Sequence, residues 1–239
     1  MKSLLCGALM TTSAFAMPLA AAGTVAAAVA FAPAAYADEN PWMIRGRVIG
    51  VLPDESASLS TSGTPLAGSV DIGDQYVPEL DISYFFTDNI AAEIILGVTP
   101  HDVSAVNVTV PGALNNARVD LGDVWLLPPT LTLQYHFNTE GRLKPYVGAG
   151  VNATFFFNAD EDPVADGIEY DPSFGPALQA GIDYDLDGQP GGWALNADVK
   201  KIWINPDVTV DFTSALGARV DADVDINPLV VGVGLGYKF

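Results

Sequence analysis

The chain has 239 residues, 49% of them apolar and 16% charged, enough for one barrel-sized core or two small ones and too apolar for wholesale disorder. Ten basic residues face twenty-nine acidic ones, for a formal net charge of −19. That balance excludes nucleic acid as a partner and leaves no basic patch to hold the protein on an anionic membrane surface.

Residues 1–37 have the order of an export signal: Lys2, an alanine-rich apolar stretch, and a small-x-small cleavage site at Ala35-Tyr36-Ala37 before Asp38. An earlier cut after Ala16 and a retained membrane helix are the alternatives. The only cysteine, Cys6, lies in this segment, so residues 38–239 carry no disulfide. Loss of Lys2 with no acidic residue moves the mature net charge to about −20. No later stretch is long and apolar enough for a transmembrane helix. Membrane attachment must therefore come from strand faces.

Period-two alternation recurs along the rest of the chain. From Trp42 to Leu52 the even positions face outward, while Arg45, Arg47, Ile49 and Val51 point inward. Residues 53–74 are expected as a long loop. Gln75 to Phe86 sets Tyr76, Pro78, Leu80, Ile82 and Tyr84 against Val77, Glu79, Asp81 and Ser83, and the turn Thr87-Asp88-Asn89 leads to a strand with Glu93 and Ile95 inward. Pairing Trp42 with Phe86 would put Arg47 opposite Asp81 and Arg45 opposite Ser83. A second long loop is expected over 100–123, then a strand over Leu127 to Phe137 with Gln134 inward.

The fifth strand, about Leu143 to Phe157, turns Phe156 inward, and residues 158–172 form a third long loop. The sixth carries Gln179 and Asp183 inward, and the seventh, from Trp193, points Asn196, Asp198, Lys200 and Ile202 inward. A fourth loop or extended hairpin leads to the last strand, Ile226 to Phe239. There Leu229, Val231, Val233, Leu235, Tyr237 and Phe239 share one parity, and Val230, Gly232, Gly234 and Gly236 the other. Short turns alternate with long loops, as in barrels with periplasmic turns and extracellular loops. The expected fold is an all-β, eight-stranded antiparallel transmembrane up-and-down β-barrel over residues 38–239.

Four stretches resemble the outer-membrane protein W (OmpW) family: Pro78 to Glu93 (PELDISYFFTDNIAAE), Leu127 to Tyr135 (LPPTLTLQY), Lys144 to Gly150 (KPYVGAG) and Asn196 to Ile202 (NADVKKI). The resemblance covers essentially the whole mature chain. It implies a Gram-negative outer-membrane barrel with a narrow apolar channel for small hydrophobic molecules, and in some members a surface-receptor role. The aromatic end at Tyr237 and Phe239 also resembles the terminal strand that the barrel assembly machinery reads.

Two layers of candidate site residues follow. Arg45, Arg47, Asp81, Glu93, Gln134, Asp198 and Lys200 form a polar plug in the lower lumen, with the three glycines of the last strand leaving room for long side chains. Above it, Ile49, Val51, Val77, Ile95, Phe156, Ile202 and Val230 form an apolar pocket. Ordinary ion-pair satisfaction and interior packing are the plainer readings, because eight strands enclose a space only just filled by side chains. Pro78, Pro128, Pro129 and Pro228 cannot donate ladder hydrogen bonds and mark places where a solute would leave sideways into lipid.

Expected partners are outer-membrane lipid and lipopolysaccharide, the assembly machinery and small hydrophobic solutes. The acidic third loop (Asp160, Glu161, Asp162, Asp166, Glu169, Asp171) offers weak divalent binding at most, or a solvated surface. Asp183, Asp185, Asp187 and Gly188 mimic half a calcium loop, but Ala194 stands where a bidentate glutamate is required. No cofactor and no metal site is expected. His101 and His136 are the only histidines, and no nucleophile elbow is present, so no enzyme is expected. The alternative function is a structural or receptor barrel working through its acidic loops. Phe239→Ala should lower the outer-membrane level of the protein severalfold, read by immunoblot of outer-membrane fractions, and leave the heat-modifiability of assembled barrels unchanged; normal levels would remove the targeting role.

Overall fold

In lipid every backbone N–H and C=O must find a partner within the protein, so a spanning sheet has to close on itself. The computed structural model describes residues 40–110, 114–161, 165–188 and 191–239. The export signal expected over 1–37 lies outside them. Eight strands close the ring: β1 (Trp42–Leu52), β4 (Gln75–Phe85), β5 (Ile90–Gly97), β8 (Thr130–His136), β9 (Leu143–Glu161), β11 (Ser173–Asp185), β12 (Gly192–Ile202) and β15 (Leu229–Lys238). Each pairs antiparallel with the next, and β15 returns to β1.

Three of the expected long loops contain strands, and the fourth is the extended hairpin given as its alternative. β2 (Ser56–Thr61), β3 (Thr64–Ile72), β6 (Thr99–Val110), β7 (Leu114–Leu127), β10 (Gly167–Tyr170), β13 (Asp207–Phe212) and β14 (Ala218–Asp225) continue seven of the eight barrel strands upward. Their order is β10-β13-β14-β2-β3-β6-β7-β9, the same order as the strands they extend. Only β9, with 19 residues, runs through both tiers as one strand. At about 3.3 Å per residue it is about 60 Å long, and tilted by about 40° it still rises past a hydrocarbon layer of about 30 Å. The upper tier therefore stands outside the membrane. It is paired all round except at one seam: β10 pairs with β13, and the β9–β11 ladder stops at Thr154 opposite Ser173.

These segments are strands because their apolar residues alternate with aspartates. Val208, Val210 and Phe212 face in while Asp207, Thr209 and Asp211 face out, and Ala222 and Val224 alternate with Asp221, Asp223 and Asp225. Ser62 and Gly63, with φ of 47° and 75°, form the left-handed pair that a two-residue hairpin between β2 and β3 requires. A four-residue helix, α1 (Thr213–Leu216), closed by Gly217 at φ 67°, joins β13 to β14.

Other expectations also shift. Trp42 pairs with Tyr84, not Phe86, so Arg45 lies opposite Asp81 and Arg47 opposite Glu79. The cause is the turn: Phe86 N–H already donates to Ile90 O at 2.8 Å, which ends the ladder at Phe85. A slip of two keeps every side chain on its expected face and changes only its partners. Strand β8 begins at Thr130 and not at Leu127, because Pro128 and Pro129 have no N–H to give. Strand β15 begins at Leu229, after Pro228.

The outer face of the lower tier is apolar, with Val233, Leu133 and Val151 among its most exposed residues. Edge-to-face aromatic pairs, Trp42–Tyr84, Tyr135–Phe137 and Trp193–Tyr237, ring the short-turn end, as in a membrane-interface girdle. Val233→Arg, at mid-height on β15 and 64% exposed, should destabilise the barrel in phospholipid vesicles by about 2–4 kcal/mol, against about 0–1 kcal/mol for Tyr76→Arg at the upper end of β4. Urea unfolding checks the difference; equal costs would displace the membrane from this belt.

Candidate functional site

Inside the lower tier, β1 delivers two arginines to the axis. Arg45 is fully buried, pairing bidentately with Asp183 (Nε–Oδ1 3.1 Å, Nη2–Oδ2 2.7 Å) and donating from Nη1 to Glu93 at 2.7 Å and Ser83 at 2.8 Å. Arg47 reaches Glu79 (2.8 Å), Asp81 (2.5 Å), Asp198 (3.3 Å) and Asn196 (3.2 Å). Lys200 joins Glu79 at 2.8 Å and Asp198 at 3.2 Å. The Tyr146 hydroxyl donates to Asp198 at 2.9 Å, and Gln179 Nε2 donates to Glu93 and Asp198. Burying three cations is tolerable only with such partners, because each ion loses several kcal/mol of hydration.

The glycines of β15 make this packing fit. A Cβ at Gly236 would lie 2.9 Å from Arg45 Cγ, and one at Gly234 2.7 Å from Arg47 Cγ and against the Gly46 carbonyl. All seven residues named for a plug are thus buried in one layer across the lumen. Glu79, Ser83, Tyr146, Gln179, Asp183 and Asn196 complete it. Of these, Asp183 sits on β11 with the inward parity, the signal that could have placed it here. Its commitment to Arg45 also removes the first position of the calcium-like run.

Above the plug lies a small apolar cavity of about 40 Å³, bordered by Ile49, Val51, Ile95, Ile202 and Val230 together with Pro128, Pro228 and Ile204. Val77 packs in the surrounding apolar cluster without bordering it. Phe156 sits higher, in the wall of a second cavity that no loop reading anticipated. This outer chamber, of about 180 Å³, fills the upper tier and is walled by Val103, Leu121, Val124, Val208, Val210 and Phe212 among others. Polar side chains in its wall are Ser69, His101 and Tyr170. At the open seam Phe156 stacks on Tyr170 at 5.3 Å, and Phe155 meets Phe174 edge-on at 6.5 Å outside.

Leu126, Ile226 and His101 border both cavities and form the waist between them. His101 Nδ1 lies 2.9 Å from the Gly73 carbonyl oxygen, tying β6 to the bend between β3 and β4. Burial pushes the imidazole below its ordinary pKa, against the opposing pull of the Gly73 carbonyl, Asp102 and Asp74, and so favours the neutral ring. His136 lies at the other end, its Nε2 3.0 Å from Gln134 Oε1. Tyr237 and Phe239 face outward in the aromatic belt. Within the acidic third loop, Asp162 lies outside the described residues, and Asp166 accepts a hydrogen bond from Ser214 N at 2.6 Å.

Arg45→Met should strand Asp183 and Glu93 without their cation and cost about 3–5 kcal/mol. Asp81→Asn should cost far less, because five carboxylates here share three cations and no hydrogen bond reaches the Asp81 oxygens despite the close Arg47. Unfolding midpoints in detergent check the order; a larger loss for Asp81→Asn would reverse it.

With this geometry in view, the comparisons with known proteins are coherent. The OmpW family model matches residues 39–239. The uncharacterized outer-membrane protein y4mB of Sinorhizobium fredii is 41% identical, over 97% of this chain and 96% of its own. The dibenzothiophene metabolism operon protein PahQ of Pseudomonas aeruginosa is 29% identical, over 85% and 91%. Among solved structures, the outer-membrane protein OprG of Pseudomonas aeruginosa superposes with a TM-score of 0.75 at 30% identity, covering 84% of this chain and 96% of that one.

Proposed function

The chain belongs to the OmpW family of Gram-negative outer-membrane barrels, and from that membership we propose that it admits small apolar molecules through the outer chamber and releases them sideways into the membrane. One observation carries the reading: an apolar chamber and a smaller apolar pocket share three wall residues, His101, Leu126 and Ile226, and both lie above a charged layer. A cavity of about 150 Å³ with such walls takes up benzene, so a chamber of about 180 Å³ suits a small flat aromatic or a short hydrocarbon. Leaving water for this space is favourable, and so is entering lipid. Crossing the plug would instead require parting buried ion pairs.

A gap in the ladder at the level of the inner pocket supports a sideways route. The β5–β8 ladder stops at Ile95 opposite Thr130, and pairing resumes only at Thr99 opposite Leu126. Between them, residues 96–98 and 127–129 form no ladder pairs with one another although the register on either side is the same, and Gly97 and Pro128 border the pocket there. A relative named for a dibenzothiophene metabolism operon accords with a flat, apolar solute. On this reading residues 1–37 are the removed signal, Tyr237 and Phe239 are read by the assembly machinery, and lipopolysaccharide surrounds the belt. Any divalent binding is weak and belongs to the acidic segment that carries Asp166, Glu169 and Asp171.

Naphthalene uptake into vesicles with a lipopolysaccharide outer leaflet tests the proposal. Val210→Asp or Phe156→Asp should slow protein-dependent uptake by roughly tenfold or more, since a bare carboxylate in the chamber repels an apolar solute and draws in water. Neutralising Arg47 and Asp81 together should change it much less. Unchanged uptake in the chamber variants, or free ion conduction through the wild-type barrel, would shift the function to a surface receptor.

A further inference from the structure

The passage is not uniformly apolar at its narrowest point. Of the three residues that border both cavities, Leu126 and Ile226 offer only hydrocarbon, and His101 offers a hydrogen-bonding ring. A carbonyl oxygen accepts and never donates, so the contact of Nδ1 with Gly73 O fixes the proton on Nδ1 and leaves a lone pair on Nε2. Among the described residues no donor meets that nitrogen. Two positions earlier on the same face of β6, Thr99 is 4% exposed, borders the inner pocket and makes no side-chain hydrogen bond among the described residues. An acceptor and a hydroxyl, two residues apart on one face of β6, thus border the inner pocket with no further side-chain hydrogen-bond partner among the described residues.

We propose that His101 and Thr99 set the solute preference of this channel, favouring apolar molecules that carry one hydroxyl, such as phenols and medium-chain alcohols, over hydrocarbons of the same shape. The inference rests on the channel reading above. A hydroxyl that enters the chamber gives up its bonds to water, a loss that an otherwise apolar wall would not restore. At the waist the solute O–H donates to His101 Nε2, and Thr99 Oγ1–H donates to the solute oxygen. A site with unused polar groups discriminates against the analogue that lacks the hydroxyl, because that analogue leaves them unpaired. Gly73 matters here because its carbonyl selects the tautomer that keeps Nε2 an acceptor.

Equilibrium binding of 2-naphthol and naphthalene to the protein in lipid nanodiscs, corrected for partition into protein-free discs, decides the matter. Wild type should bind 2-naphthol about threefold to tenfold more tightly. His101→Phe should abolish that preference while still binding naphthalene, and His101→Gln, which retains an acceptor, should restore part of it. Thr99→Val keeps the volume and should lower the preference without erasing it, giving a second reading if the phenylalanine variant does not fold. Equal binding of the two solutes by wild type would overturn the inference and leave the channel standing. A preference unaffected by His101→Phe and Thr99→Val would place the discrimination elsewhere and overturn it too. If neither solute binds, the channel and the inference fall together.

Discussion

The ion pairs that hold Arg45 and Arg47 on the barrel axis are the constraint on which the remaining architecture depends. Every strand of the lower tier answers to them: Glu79, Asp81 and Ser83 from β4, Glu93 from β5, Gln134 from β8, Tyr146 from β9, Gln179 and Asp183 from β11, Asn196, Asp198 and Lys200 from β12. β15 contributes space, through Gly232, Gly234 and Gly236. A slip of β4, β5, β11 or β12 would remove a counter-charge from a buried guanidinium. On the proposed channel reading the same layer blocks the axis and leaves lipid as the favourable destination of an apolar solute.

Above the plug the design reverses. The strands continue out of the membrane, turn aspartates to water and keep valines inside, so that a space which composition suggests is a set of polar loops is an apolar chamber. The breaks between lower and upper strands, at Gly73, Val98, Pro128-Pro129, Pro206 and Pro228, lie beside the residues of the waist. Proline suits that level because a ladder that is changing direction has N–H groups missing there anyway.

The lower tier was legible in the sequence because its two faces differ so strongly: Leu80 and Ile82 against Glu79, Asp81 and Ser83 leave no doubt about parity. Register was less legible, since parity is unaffected by a slip of two, and the hydrogen bond from Phe86 to Ile90 that decides it belongs to the turn. The chamber was hidden by its own aspartates. Val220, Ala222 and Val224 alternate as cleanly as any membrane strand, but Asp221, Asp223 and Asp225 between them resemble solvated loop. The place of His101 depends on Gly73, 28 residues away, and was out of reach of any local pattern.

The chamber as the place where solute is held is tested most directly by methyl NMR of the protein in nanodiscs during naphthalene titration. Methyl groups of Val124, Val210 and Leu126 should shift saturably, with Ile95 and Val230 following, while Met43 and Ala194 beneath the plug stay fixed. Saturable shifts at Met43 and Ala194, or none in the chamber, would contradict an apolar passage that stops on the charged layer.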